Sequence, residues 1–166
     1  MKSYHLLVLS LLAALLSPCS LTAQTAQEEA AAIYAVSGVK GGFVVHVGCG
    51  DGTLTTALRS GEHFQVHGLA LAEDQLEAAR SSIKQQGVYG PVAVDMLHSS
   101  QLPYIDNLVN LLVIDRGSDI QQEEILRVLT PGGVAVTREG NGWKKQVKPR
   151  PDNIDDWTHF LHDASG

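Results

Sequence analysis

Apolar and polar positions along this chain alternate between two patterns. Short, mainly apolar stretches occur at residues 43–47 and 108–114, the last interrupted by Asn110, and shorter or alternating ones at 64–69, 92–95 and 134–137. Such runs, bounded by glycine or proline, read as strands buried on both faces. Between them the apolar positions recur with a helical period. Leu76, Ala79 and Ile83 share one face of a predicted helix over residues 73–86, and Gly87 supplies its stop. Ile125, Val128 and Leu129 do the same over 120–129, ahead of a turn at Pro131-Gly132-Gly133. A short helix is predicted over 53–60. Thr25 with Glu28 forms a capping box that opens an earlier helix through about Ser37, which Gly38 ends.

Strands that alternate with helices predict an α/β fold with a doubly wound, mostly parallel sheet and right-handed crossovers. The fifth strand breaks the pattern. Glu139-Gly140-Asn141-Gly142 is a hairpin signal, and residues 143–147 read as the returning strand, closed by Pro149 and Pro151. The expected architecture is therefore finished after strand five by a β-hairpin. It spans residues 24–148, and residues 149–166 read as a linker or the start of a further domain.

Composition sharpens this in two ways. With 166 residues, 44% of them hydrophobic and 18% charged, the chain can bury a real core. Its net charge of −6, with no basic stripe, argues against nucleic-acid binding. The cluster Lys144, Lys145, Lys148 and Arg150 reads as a solvated hairpin edge.

The first 23 residues have the form of a secretory signal peptide. Lys2 is followed by an apolar run at 6–16, too short to span a bilayer comfortably, and then by small residues up to Ala23. Cleavage there would remove Lys2 and no acid, making the net charge more negative by one. The expected location is the periplasm or the extracellular space, with no stable membrane span after cleavage. Lipid anchoring through Cys19 is the alternative, although Pro18 before it is unfavourable. Only Cys19 and Cys49 occur, which points to neither a disulfide framework nor a zinc site.

The chemistry concentrates at Gly48-Cys49-Gly50-Asp51-Gly52, between the first strand and the next helix. Glycine lets the backbone turn sharply and a ligand approach it closely. Amides at the start of the following helix favour a carboxylate or phosphate. Cys49 reads as a small residue tolerated beside a ligand, not as a nucleophile.

This turn resembles the first motif of class I S-adenosylmethionine-dependent methyltransferases, with glycines at GxGxG spacing. A dinucleotide fingerprint would need glycine where Thr53 stands. Residues 124–133, Glu-Ile-Leu-Arg-Val-Leu-Thr-Pro-Gly-Gly, resemble the family's segment before strand five. The resemblance covers residues 33–136 and implies a Rossmann-like methyltransferase fold with S-adenosylmethionine as cofactor and a small-molecule ligand. It implies that Gly48, Gly50 and Gly52, with Cys49 and Asp51 between them, approach the methionine part. It sets Ala70 and Leu71 at the ribose end, and Asp95 with Met96 at the adenine. Asp115, after Ile114, would face the sulfonium and the methyl acceptor. His46 and Asp115 are the candidate bases by position, although a structural hydrogen bond is the simpler role for His46.

The departures from the family pattern are specific. The family's sheet normally continues with a helix and two more strands, so the resemblance implies a sheet truncated after strand five and finished by the β-hairpin. His46 and Asn110 stand where acids are usual. Ala70 replaces the acid that accepts both ribose hydroxyls, a loss of about 1.5–3 kcal/mol in a ligand contact, so Ala70→Asp is expected to tighten the site. Glu73 or Asp74 could substitute, although their spacing suggests charges that stabilise a helix start. A noncatalytic, methyltransferase-like ligand-binding or docking module is the competing expectation.

Near the end, His159, His162 and Asp163 form a metal-like cluster without further ligands in frame, and an amphipathic segment carrying Trp157 and Phe160 explains it better. That segment also resembles the linker in secreted bacterial proteins where a pyrroloquinoline-quinone-type β-propeller follows a methyltransferase-like domain.

Overall fold

The computed structural model describes residues 18–115 and 117–151, with side chains from Thr25 onward. Residues 1–17 of the expected leader, the Cys19 side chain and the His159/His162 cluster lie outside these described residues.

The elements run α1 (Pro18–Ser37), β1 (Gly42–Val47), α2 (Thr53–Ala57), β2 (Phe64–Ala70), α3 (Glu73–Gln85), β3 (Val92–Met96), β4 (Val109–Ile114), α4 (Gln122–Val128), β5 (Leu129–Glu139) and β6 (Gly142–Val147). The strands form one sheet in the order β3-β2-β1-β4-β5-β6. Every pairing is parallel except β5 with β6, which is antiparallel. The chain winds outward from β1 to β3 and then crosses to β4 on the other side of β1. The resulting switch point opens a crevice at the carboxyl ends of β1 and β4, where ligands bind in such sheets.

Alternation along the strands divides the core. Val44, Val66, Val94 and Val113 face α1, α2 and α3, where Ile33, Leu58 and Ile83 are fully buried. Val45, Val47, Leu69 and Leu112 face the opposite side, covered by Ile125 and Val128 of α4. Leu76, Ala79 and Ile83 are the buried face of α3, as the spacing predicts.

Three elements differ from the sequence expectation. Thr25 does not cap α1, because the helix already runs from Pro18 and crosses the expected cleavage point. The next helix, α2, ends at Ala57. Pro131-Gly132-Gly133 is no turn ahead of β5 but a bulge inside it. Leu129 pairs with Val109 and Val134 with Leu111, so the intervening residues loop out of register. Gly132, at φ 78, makes the excursion, and Lys148 closes it through backbone bonds to Gly132 and Gly133 of 3.0 and 2.9 Å.

The basic edge is also less free than its charge suggests. Lys145 Nζ donates to the Ser37 carbonyl (2.8 Å) at the end of α1, and Lys148 Nζ donates to Leu129 O (2.8 Å) and Asn107 Oδ1 (2.6 Å). Asn110 has a structural task, since its Oδ1 accepts the Phe43 amide at 2.8 Å. Among the described residues no helix is long and apolar enough to cross a membrane.

Candidate functional site

The glycine turn leaves β1 at the mouth of the crevice. Gly48, Gly50 and Gly52 all have positive φ, at 82, 52 and 80°, which an L side chain adopts only with strain. Their surroundings separate their roles. A Cβ on Gly52 would lie 3.0 Å from Cα and Cβ of Ala79, so this glycine lets α3 pack against the turn. A Cβ on Gly50 would meet nothing within 4 Å, so this one faces open space.

The amides divide in the same way. Gly48 and Cys49 both donate to Leu69 O (2.9 and 3.2 Å), and Gly52 donates to Cys49 O (2.9 Å). Asp51, exposed, accepts the Thr53 amide on Oδ1 at 2.9 Å. The amide at the start of α2, expected to await a ligand carboxylate, is thus held by the chain's own. The Gly50 and Asp51 amides have no partner among the described residues. Two free amides beside a glycine with open space fit the carboxylate end of an amino-acid-bearing cofactor.

Beneath the turn the packing is dense. Cys49 is buried, and burial pushes its thiol up to about 11, which removes it as a nucleophile. Its side chain turns inward, not toward a ligand, which corrects that part of the sequence reading. His46 is buried on the α2 side of β1, its Nδ1 2.8 Å from Thr55 Oγ1. Burial lowers its pKa to about 4, Asp115 opposing and Arg138 reinforcing the shift, so the ring is neutral at pH 7. Its Nε2 has no hydrogen-bond partner.

Asp115 lies beside the turn, because its amide donates to Val47 O at 3.0 Å. Its carboxylate is gripped by Arg138 of β5, which also pairs with Glu29 of α1 and lies 4.0 Å over the Trp143 ring. Both oxygens of this carboxylate are committed to the Arg138 guanidinium. No local signal foretells this network, since Glu29, Asp115 and Arg138 are far apart along the chain.

At the other end Ala70 is fully buried in the apolar cluster under α3. A carboxylate there would be buried without a partner, so Ala70→Asp is expected to destabilise the fold and not to tighten the site. Leu71 reaches across the crevice, with its Cδ1 3.6 Å from where a Cβ on Gly117 would stand. Leu71, Leu97, His98 and Gly117 line a hollow of about 280 Å³ over the ends of β2, β3 and β4. His98 also borders a larger cleft of about 530 Å³ around Asp95 and Met96, which Glu73, Leu76 and Arg80 of α3 enclose.

Asp95 is held within a chain of polar contacts. Arg80 donates to its Oδ1 (3.0 Å), His67 Nε2 lies 3.6 Å from its Oδ2, and His67 Nδ1 is 2.7 Å from the Tyr104 hydroxyl. Burial lowers the His67 pKa and Asp95 opposes it. Burial also raises that of Tyr104. Phe43 packs edge-on against Tyr104. The period-two alternation of β2 was the signal for His67, which shares a face with Leu69. Among the described residues no cluster of His, Cys, Asp or Glu is arranged to hold a metal ion.

A doubly wound sheet with this glycine turn at its switch point defines a class I S-adenosylmethionine-dependent methyltransferase domain. A family profile for the methyltransferase domain matches residues 44–133, more than half of the sequence, and the chain belongs to that family. It is 30% identical over 96 residues to methyltransferase GfsG of Streptomyces halstedii, covering 54% of this chain and 34% of that one. It is 32% identical over 113 residues to the ubiquinone/menaquinone biosynthesis C-methyltransferase UbiE of Hydrogenovibrio crunogenus, covering 63% and 44%. A Methanococcus maripaludis structure, provisionally named an S-adenosylmethionine-dependent methyltransferase, superposes with a TM-score of 0.65 at 23% identity, covering 75% of this chain and 59% of that one. The chain spans between a third and a half of the length of these curated relatives.

Proposed function

We propose that this domain binds S-adenosylmethionine across the carboxyl ends of β1, β2 and β4 and directs its methyl group to a small-molecule acceptor. The observation that carries this reading is the pair of free amides at Gly50 and Asp51 beside a glycine with open space. They would receive the methionine carboxylate, while Asp95 and Met96 line the cleft for the adenine. Bound there, the cofactor supplies an electrophilic methyl group on a positively charged sulfur. The protein's part is to align the acceptor with that methyl. Asp115, oriented by its ion pair with Arg138, would stand near the sulfonium end. Neutral His46 stiffens the strand beneath the turn.

Calorimetric titration of the chain with S-adenosylmethionine and S-adenosylhomocysteine tests the reading. Saturable heat with a matching rise in melting temperature supports it. No heat and no thermal shift at millimolar ligand overturns it.

A second reading, a ligand-binding module without methyl transfer, is favoured by one observation: the tip of β2 presents a buried methyl group where a ribose acceptor would stand. Ligand binding without turnover of any acceptor would select it. We further propose that residues 1–23 direct export and that residues 149–166 lead into a second domain of the β-propeller type. Cell fractionation and mass determination of the amino terminus test the export. The gene sequence beyond residue 166 tests the continuation.

A further inference from the structure

We propose that Glu73, the first residue of α3, takes over recognition of the ribose diol in the 530 Å³ cleft. The inference rests on the cofactor reading above and names a residue for it. A nucleoside presents two groups of donors, the ribose hydroxyls and the exocyclic amine, and recognition of both calls for two acceptors. The cleft has two carboxylates, Glu73 on α3 and Asp95 on β3, facing it from different walls. Leu76 and Met96 add an apolar surface between them, suited to the faces of a base and a sugar.

The geometry of α3 explains why Glu73 is the residue. Glu73, Leu76 and Arg80 follow one another at helical spacing and line the same cleft. Arg80 is spent on Asp95 at 3.0 Å. Glu73 makes no hydrogen bond or ion pair with another described residue, so both its oxygens are available. Asp74 does not line this cleft. At the tip of β2, Ala70 is fully buried, so an acceptor for the sugar must come from the wall of the cleft instead of the strand end. An anion accepts from two vicinal hydroxyls at once, which a neutral amide does less well.

The experiment uses the chain with S-adenosylhomocysteine and its 2′-deoxy analogue as probes, in wild type, Glu73→Gln and Asp74→Asn. Both variants remove one negative charge from the first turn of α3. Their melting temperatures therefore report the helix-start contribution, and the shifts are expected to be alike. The expected result is that Glu73→Gln weakens S-adenosylhomocysteine about tenfold or more, while Asp74→Asn leaves it within about twofold. The 2′-deoxy analogue is expected to bind wild type about as weakly as Glu73→Gln binds the parent, and to lose little further in that variant. Equal binding of S-adenosylhomocysteine by wild type and Glu73→Gln overturns this inference and leaves the cofactor reading standing. Absence of binding by wild type overturns both.

Discussion

Arg138 holds both carboxylate oxygens of Asp115, with Nε 3.1 Å from Oδ1 and the terminal nitrogen 3.4 Å from Oδ2. The same guanidinium reaches Glu29 on α1 and stacks on Trp143 of β6. One side chain therefore ties the first helix, the end of β4 and the hairpin edge together. Replacing it with methionine keeps the stem but leaves two partly buried carboxylates facing each other. Arg138→Met is expected to lose about 1–3 kcal/mol of stability, the partial exposure keeping the cost below that of a fully buried pair. Urea denaturation monitored by circular dichroism measures it, and an unchanged midpoint would show that the network carries no stability.

His46 links stability to pH. Its folded pKa is about 4 against an unfolded value of 6.5, so between those limits the unfolded chain binds the proton more tightly. Stability is therefore complete above about pH 6.5 and falls as the pH drops toward 4, by on the order of 3 kcal/mol from this residue. His67, lowered in the same direction, adds to the slope. His46→Gln is expected to flatten the dependence between pH 6.5 and 4, measured as urea midpoints across that range. A slope equal to that of wild type would refute the assignment.

The three glycines of the turn are not equivalent. Gly52→Ala brings a methyl group to 3.0 Å from Ala79 at φ 80, and is expected to cost about 2–4 kcal/mol from strain and overpacking combined. Gly50→Ala meets no atom and is expected to cost about 1 kcal/mol, from its backbone conformation alone. Its methyl group would stand over the free amides, so S-adenosylhomocysteine affinity should fall more than stability does. Thermal melts and titrations on the two variants separate these effects, and the reverse ranking in the melts would contradict the packing described.

Cys49 is buried with a raised pKa, and its modification should wait for unfolding. In a Cys19→Ser background, labelling by an aromatic disulfide reagent at pH 8 is expected to be at least a hundredfold slower in buffer than in denaturing urea. Equal rates would place the thiol at the surface.

The sheet was legible because each parallel strand is either a mainly apolar run, as in β1 and β4, or an alternation of apolar and polar residues, as in β2, and because the glycines at 48, 50 and 52 mark positive-φ positions that an L residue adopts only with strain. The hairpin was legible for the same local reason, its turn residues Gly140 and Asn141 standing between two strands. The bulge at Pro131-Gly132-Gly133 was not, since proline and glycine signal a break whether the strand ends or only steps aside. Lys148, far along the chain, decides between the two. The same distance in sequence hid the hold of Arg138 on Asp115 and the contact of His67 with Tyr104. Ala70 was legible as an absence, but which way its side chain turns depends on how α3 packs.

Gly68 lies in β2 directly beneath the glycine turn. A methyl group there would fall 2.7 Å from Val94 and 3.0 Å from both Cys49 and Thr55. These four positions share one volume contributed by two strands, the turn and a helix. A larger residue at any of them must be matched by a smaller one at another, so descendants of this sequence can alter the turn only in step with the layer that carries it. Drift at these sites will be correlated, and a survey of substitutions taken one position at a time would mistake that coupling for invariance.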